Sequence, residues 1–270
     1  MIDLHCHIIP GIDDGPKLLE ESLEMCRIAV SDGISKVVCT PHNTTGKYSN
    51  GREKIIRHVN ELQAAINENG IPLILFPGCE IQLEPGLVAR IREGELMTVN
   101  DSGKYVILEL PGEALPHNME EIISFFVFAG LVPIISHPER NPALIRNPEI
   151  IYRMVTLGAL TQLTTSSLNG RFGSEIEAFS VSLLEHDLVH MMVTDAHSST
   201  RRRPVFSEAL NRLKRIVGEE AAMEMVREVP GRILNGEDID TRFPVPWKKE
   251  SVRKRRSFMP GIFRKRSISS

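Results

Sequence analysis

Seven short apolar runs recur along the chain, at 2–7, 36–42, 73–80, 105–110, 132–137, 160–165 and 190–197, and amphipathic segments separate most of them. Val132-Pro133-Ile134-Ile135 is apolar at consecutive positions rather than alternate ones, the pattern of a strand buried on both faces. Between the first two runs, Leu19, Leu23, Cys26 and Val30 fall at helical spacing within 18–32, and Gly33 stands as a stop. The segments 53–69, 175–186 and 207–217 read as further helices. Asn118-x-x-Glu121 has the form of a capping box with Asn in place of Ser or Thr, opening a helix that Gly130 closes. Strands alternating with helices predict an α/β fold on a parallel sheet, either closed into a barrel or doubly wound.

In both architectures functional groups collect at the C-terminal ends of the strands. The first run ends in His5-Cys6-His7. Alternation on a strand puts His5 and His7 on one face and Cys6 on the other, and paired imidazoles are natural metal ligands. Later runs end in Thr40-Pro41-His42, Gly78-Cys79-Glu80, Leu108-Glu109, Ser136-His137-Pro138-Glu139-Arg140 and Thr194-Asp195-Ala196-His197. Only the sixth, ending near Thr164-Thr165-Ser166, supplies no strong ligand. A lone His at a strand end is more often a structural hydrogen-bonder, but His, Glu or Asp at six ends together predicts a metal site. Asp13-Asp14-Gly15 adds a carboxylate that either folds back over the same mouth or makes a turn with a helix cap. His58, His117, His186 and His190 lie away from such ends and are assigned no role.

Composition narrows the class. With 270 residues, 41% hydrophobic and 25% charged, the chain buries a large core, and a barrel of this length is routinely one domain. We expect residues 1–247 to form it and 248–270 to be a tail. No stretch approaches the ~18 apolar residues of a membrane span. The opening residues lack the basic-then-apolar pattern of a signal peptide. Cys6, Cys26, Cys39 and Cys79 lack the spacing of a disulfide scaffold and read as free thiols in a reducing cytoplasm. The net charge of −3 conceals an asymmetry: nine Lys/Arg and one acid give the tail +8, leaving −11 on residues 1–247. An acidic body with a basic tail argues against a nucleic-acid partner, which would call for basic surface on the folded domain.

The strand-end set, with His-x-His first and Asp-x-His last, resembles the polymerase-and-histidinol-phosphatase (PHP) superfamily. The strings MIDLHCHIIPGIDDGP, TPHN, GCEI, ISHPERN and VTDAHS are similar to its bacterial protein-tyrosine-phosphatase branch, which accompanies capsular and extracellular polysaccharide loci. The match spans about residues 1–235 in order and spacing. The resemblance implies a distorted seven-stranded, TIM-like (β/α)7 barrel and a site for up to three ions, usually manganese, with iron or zinc as alternatives. It implies one ion at His5, His7, Glu80 and Asp195, a second at Glu80, Glu109 and His137, and a third at Asp14, His42 and His197. It further implies hydrolysis of phosphotyrosine on a bacterial tyrosine kinase and other phosphotyrosine proteins, regulating polysaccharide export.

The residue types agree with that chemistry on their own. Mixed imidazole and carboxylate ligands suit Mn, Fe or Zn better than Ca. A bridging carboxylate such as Glu80 can hold two cations ~3.5–4 Å apart, where they supply hydroxide at neutral pH and offset charge on phosphate oxygens. Arg140, three residues past His137 on the same rim, is expected to grip phosphate through two hydrogen bonds. Arg201, with Arg202 and Arg203, either helps dock an acidic phosphopeptide or belongs to a solvated loop. A cysteine nucleophile would need an Arg six residues on; after the four cysteines stand Ile12, Asp32, Thr45 and Pro85, so the thiols read as packing. The tail interleaves Arg253-Lys254-Arg255-Arg256 and Arg264-Lys265-Arg266 with Trp247, Phe258, Ile262 and Phe263. Such a segment suits peripheral contact with the inner membrane face, at ~1 kcal/mol per charge, or simply keeps the chain soluble. Two rival functions stand beside the leading one: a small-molecule phosphatase such as histidinol phosphatase, and a metal-binding regulator of the kinase without catalysis.

Overall fold

The computed structural model describes residues 1–112 and 114–247. The seven apolar runs become nine strands: β1 (Ile2–Cys6), β2 (Lys36–Cys39), β3 (His42–Asn43), β4 (Ile74–Pro77), β5 (Glu80–Gln82), β6 (Tyr105–Glu109), β7 (Val132–Ile135), β8 (Leu160–Thr164) and β9 (Met191–Val193). Two runs are broken in the middle. Pro41 lacks the N–H that would continue the second. At Gly78 the third passes so close to β2 that a Cβ would lie 2.5 Å from Val38 Cγ1; only glycine fits there. The breaks split the parallel ladder into β1-β2-β4 and β3-β5-β6-β7-β8-β9.

The far edges meet. Asp195 N donates to His5 O at 2.9 Å and His7 N to Ala196 O at 2.8 Å, with a parallel bridge between Cys6 and Ala196. The seven strand positions thus close into a distorted barrel, which removes the doubly wound alternative. Inside it Leu4, Val38, Ile107, Ile134, Leu160 and Met191 form an apolar cluster, against which Val229, Ile233 and Leu234 pack. A larger cluster fills the space between strands and surrounding helices. The polar strand ends are left to form the opposite mouth.

Simple alternation does not describe β1. Between Asp3 and Cys6 it advances three residues while β2 advances two, from Val37 to Cys39. This one-residue bulge re-aims side chains: Leu4 joins the inner cluster, and His5, next to it, meets His7 in the mouth.

The expected helices form at Leu19–Ser31, Arg52–Glu68, Ser174–Glu185 and Ser207–Val217. The helix Met119–Phe128 also forms, but its capping box does not: Asn118 has φ −99° and ψ 35° and caps no backbone N–H. Its amide reaches only the Glu121 side chain, at 3.4 Å. With ψ far from the extended value of an N-cap residue, the side chain misses the first-turn amides. Helices at Leu87–Arg92, Pro142–Arg146, Glu149–Thr156 and Val229–Leu234 were not expected; the first, second and fourth are too short to show a period, whereas Glu149–Thr156 buries Ile151, Met154 and Val155 at helical spacing. All four cysteines are buried and free, and burial pushes the Cys26 thiol up to about 12.

His190 ties β8 to β9: Thr161 N donates to its Nδ1 at 3.1 Å. Burial lowers its pKa from 6.5 to about 4. A folded-state value below the unfolded one means that the unfolded chain alone takes up the proton as pH falls from 6.5 towards 4. Folding should therefore lose up to about 3 kcal/mol across that window. His190→Asn keeps an acceptor near the Nδ1 position without the titration. Urea unfolding from pH 7 to 4 should show a shallower pH dependence for the variant; superimposable profiles would exclude His190 as a source of acid sensitivity.

Candidate metal centre

The bulge in β1, the start of β5 and the turn after β9 bring four side chains to one point. His5 Nε2 and His7 Nε2 are 3.0 Å apart. Glu80 Oε2 lies 3.3 Å from each, and Asp195 Oδ1 lies 3.5 Å from the first and 3.6 Å from the second. Ligands of a tetrahedral ion with 2.0–2.2 Å bonds are roughly 3.3–3.6 Å apart, so these separations are close to those of a coordination shell.

The outer nitrogens set the tautomers. His5 Nδ1 donates to Gln162 Oε1 at 2.9 Å, and His7 Nδ1 donates to Asp13 Oδ2 at 2.7 Å. The two Nε2 lone pairs then point at each other and at Glu80, whose buried Oε2 has no hydrogen-bond partner. Lone pairs and carboxylates converging without protons between them suit a cation. Electrostatics point the same way. Burial opposes charge on His7, but Asp13 and Glu80 outweigh it and raise its pKa to about 10. Burial likewise opposes charge on Glu80, yet His5 and His137 hold its carboxyl well below the usual range. The pocket has a strong demand for positive charge.

Two further groups adjoin the first. Asp14 Oδ1 lies 3.5 Å from His42 Nε2 and 3.4 Å from His197 Nε2. His197 Nδ1 donates to the Asp195 carbonyl at 3.0 Å, leaving its Nε2 free. His42 Nδ1 has no hydrogen-bond partner and faces Glu80 Oε2 at 3.1 Å and Glu109 Oε2 at 3.7 Å. His137 Nε2 meets Glu80 Oε1 at 2.9 Å. Among the described residues the compact sets are His5-His7-Glu80, His7-Asp14-His42-His197 and His42-Glu80-Glu109. This grouping departs from the one implied by the resemblance. His42 completes the set around Glu109, and His7 is shared with the set around Asp14.

Backbone strain helps place these groups. His137 and Asp195 have φ of 34° and 50°, a left-handed conformation uncommon outside glycine. Both lie just beyond a strand end, where that turn swings the side chain over the mouth.

A cavity of about 480 Å³ opens above the cluster, and Arg140 and Arg202 line it beside Asp195. Each guanidinium donates to Asp195 Oδ2 at 2.5 Å. Burial would raise the Asp195 pKa, but Arg140, His5 and Arg202 hold it well below the ordinary value. The Arg140 guanidinium also lies 5.1 Å over the Phe172 ring, an attractive cation–π contact. Arg201 does not face the cavity. Arg202 N donates to Ser198 Oγ at 3.2 Å and its carbonyl accepts from His197 N at 2.9 Å. That turn lays Arg202 over Asp195 and leaves Arg201 exposed.

Gln162 is not among the residues picked out along the chain, Arg202 is named only within the run 201–203, and Asp13 stands open between a mouth group and a turn. Gln162 had a signal: it is the one amide in the run 160–165, whose other residues are Leu and Thr. Removing an outer partner of a ligand typically costs 10–100-fold in metal affinity. Gln162→Leu should weaken Mn²⁺ binding about that much by titration calorimetry, with the fold intact; wild-type affinity would show that the His5 tautomer is set elsewhere.

A parallel barrel with imidazoles and carboxylates clustered at its C-terminal strand ends defines the PHP class of metal-site β/α barrels. The chain belongs to the capsular polysaccharide synthesis family CpsB/CapC, whose model matches residues 1–235. Tyrosine-protein phosphatase YwqE of Bacillus subtilis is 34% identical over 252 residues, covering 93% of this chain and 98% of that protein. Tyrosine-protein phosphatase CpsB of Streptococcus pneumoniae is 28% identical over 239 residues, covering 87% and 98%. A crystal structure from work on YwqE and CpsB, described there as unique metal-dependent tyrosine phosphatases, superposes with TM-score 0.88 at 34% identity, covering 92% of this chain and 100% of that one. Histidinol phosphate phosphatase of Lactococcus lactis shares the fold, with TM-score 0.52 at 13% identity over 82% of this chain and 94% of that one.

Proposed function

We propose that this chain is a metal-dependent protein-tyrosine phosphatase that works with manganese, and that His5, His7, Asp14, His42, Glu80, Glu109, His137, Asp195 and His197 hold the ions. The observation that carries the reading is Glu80 Oε2, buried without a hydrogen-bond partner and within 3.3 Å of nitrogens of His5, His7 and His42. Its relatives in the family supply the reaction type. When bound, the ions activate water and neutralise the phosphoryl oxygens.

The chain's own groups do the rest. Asp13 and Gln162 hold the His7 and His5 rings in the tautomers that present Nε2. Arg140 and Arg202 each use one N–H on Asp195 and keep others for two-point contact with phosphate oxygens. Asp195, held as a carboxylate, orients both guanidinium groups at the rim. Cysteine takes no part, because buried thiols do not ionise at neutral pH.

The substrate we propose is a phosphorylated bacterial tyrosine kinase, whose dephosphorylation regulates capsular or extracellular polysaccharide synthesis in the cytoplasm. Among the described residues no helix is long and apolar enough to cross a membrane. Of the segment expected to contact a membrane, Trp247 instead stacks on His186 with ring centroids 4.1 Å apart, and residues 248–270 lie outside the described residues. Turnover of a tyrosine-phosphorylated kinase segment and of histidinol phosphate, each with Mn²⁺ and after chelation, tests the proposal. We expect Mn²⁺-dependent release of phosphate from the phosphotyrosine substrate and much less from histidinol phosphate. The opposite preference identifies a small-molecule phosphatase; binding of the segment without turnover identifies a regulator.

A further inference from the structure

Part of the cavity wall is a small hairpin at 44–48 that none of the groups above accounts for; Thr44, Lys47 and Tyr48 all line the cavity. Thr44 N donates to Tyr48 O at 3.0 Å and Tyr48 N to Thr44 O at 2.9 Å. Gly46, at φ +80°, makes the turn between them. The hairpin is tied at both ends. At its base Asn50 Nδ2 donates to His42 O at 2.8 Å and Asn43 Nδ2 to Asn50 O at 2.9 Å. At its tip Thr45 Oγ1 donates to Glu84 Oε2 at 2.6 Å, and Arg90 pairs with Glu84 in turn. A rim loop tied in this way holds its side chains in place.

The side chain so held is aromatic. The Tyr48 ring lies nearly parallel to His42, with an interplanar angle of 10° and centroids 5.7 Å apart. Lys47 Nζ stands 4.7 Å from the Tyr48 centroid, which adds positive charge at the rim, and Leu110 and Leu144 give the same cavity apolar walls. His42 faces Asp14, Glu80 and Glu109, so phosphorus would sit beside it. In a phosphotyrosine the phenyl ring follows phosphorus after one ester oxygen; in a phosphoserine a methylene stands there. Tyr48, in the same cavity lining with its ring centroid 5.7 Å from that of His42, is within reach of a phenyl ring whose phosphorus sits beside His42.

We infer that Tyr48 is a specificity-determining residue that receives the aromatic ring of the substrate and favours aryl over alkyl phosphate monoesters. The inference rests on the phosphatase reading and adds to it the feature by which the cavity recognises phosphotyrosine. Offset or edge-on ring pairs gain enough to change affinity by a few-fold to about tenfold.

The test uses two inhibitors that no phosphatase turns over as esters, phenylphosphonate and methylphosphonate, against the metal-loaded enzyme with 4-nitrophenyl phosphate as reporter. The ratio of their inhibition constants is measured for wild type, Tyr48→Phe and Tyr48→Ala, with metal content determined for each. Wild type and Tyr48→Phe should favour phenylphosphonate alike, and Tyr48→Ala should lose up to about tenfold of that preference while keeping its metal. An unchanged ratio in Tyr48→Ala overturns the inference, as does equal weakening of both inhibitors together with loss of metal, which would mean that Tyr48 only supports His42. A wild-type enzyme that leaves phosphotyrosine peptides intact refutes the underlying phosphatase reading instead, and the inference with it.

Discussion

Glu80→Gln should strip the protein of metal and abolish phosphotyrosine hydrolysis, with a fall in kcat/KM well beyond the ~10²-fold upper end for loss of an outer-shell partner. The substitution keeps size and shape and removes one negative charge. That charge lies 3.3 Å from His5 Nε2 and His7 Nε2, 3.1 Å from His42 Nδ1 and, through its second oxygen, 2.9 Å from His137 Nε2. Among the described residues no other side chain in the mouth meets four imidazoles. Glu80 belongs to two of the three compact sets, so its loss should affect more than one ion. Atomic-emission metal analysis with kinetics at saturating Mn²⁺ measures this, and circular dichroism separates it from unfolding. A variant that retains its full metal content and most of its turnover would falsify the proposed centre.

Arg140→Ala should behave differently, keeping its metal while kcat falls by about 10²–10³, the usual cost of removing one preorganised donor from a developing negative charge. The metal should stay because Arg202 still neutralises Asp195, at 2.5 Å. Arg140→Lys should restore little: an ammonium lacks the planar fork that matches two phosphate oxygens and the flat face that lies over Phe172. Metal content and kcat measured together separate the two roles. Undiminished kcat would remove Arg140 from phosphate handling; loss of metal would show that it acts through Asp195.

Much of this site was legible along the chain because it follows one local rule. Each candidate ligand except Asp14 stands at or near the end of an apolar run, and parallel α/β folds gather strand ends at one mouth. His42, Glu80, Glu109, His137, Asp195 and His197 needed only that rule to be picked out. Three features escaped it. The bulge in β1 depends on how β1 registers against β2, which nothing in 2–7 alone specifies. The breaks at Pro41 and Gly78 were visible as residues, but their consequence is a split in the hydrogen-bonded ladder between strands. Arg202 was indistinguishable from Arg201 and Arg203 by type, and the turn at Ser198 decides which of them faces Asp195.

The sequence by itself therefore determined the alternating architecture, the chemical inventory of the mouth and the absence of a cysteine nucleophile, since hydrophobic period and residue type are local properties. Only the tertiary structure decided which lone pairs face one another, which arginine reaches Asp195 and which outer partners set the histidine tautomers. Those depend on contacts between residues far apart along the chain, 157 positions in the case of His5 and Gln162. Such contacts exist only once closure of the barrel has brought the end of β9 against β1, with β8 next in the sheet, and no local pattern encodes their geometry.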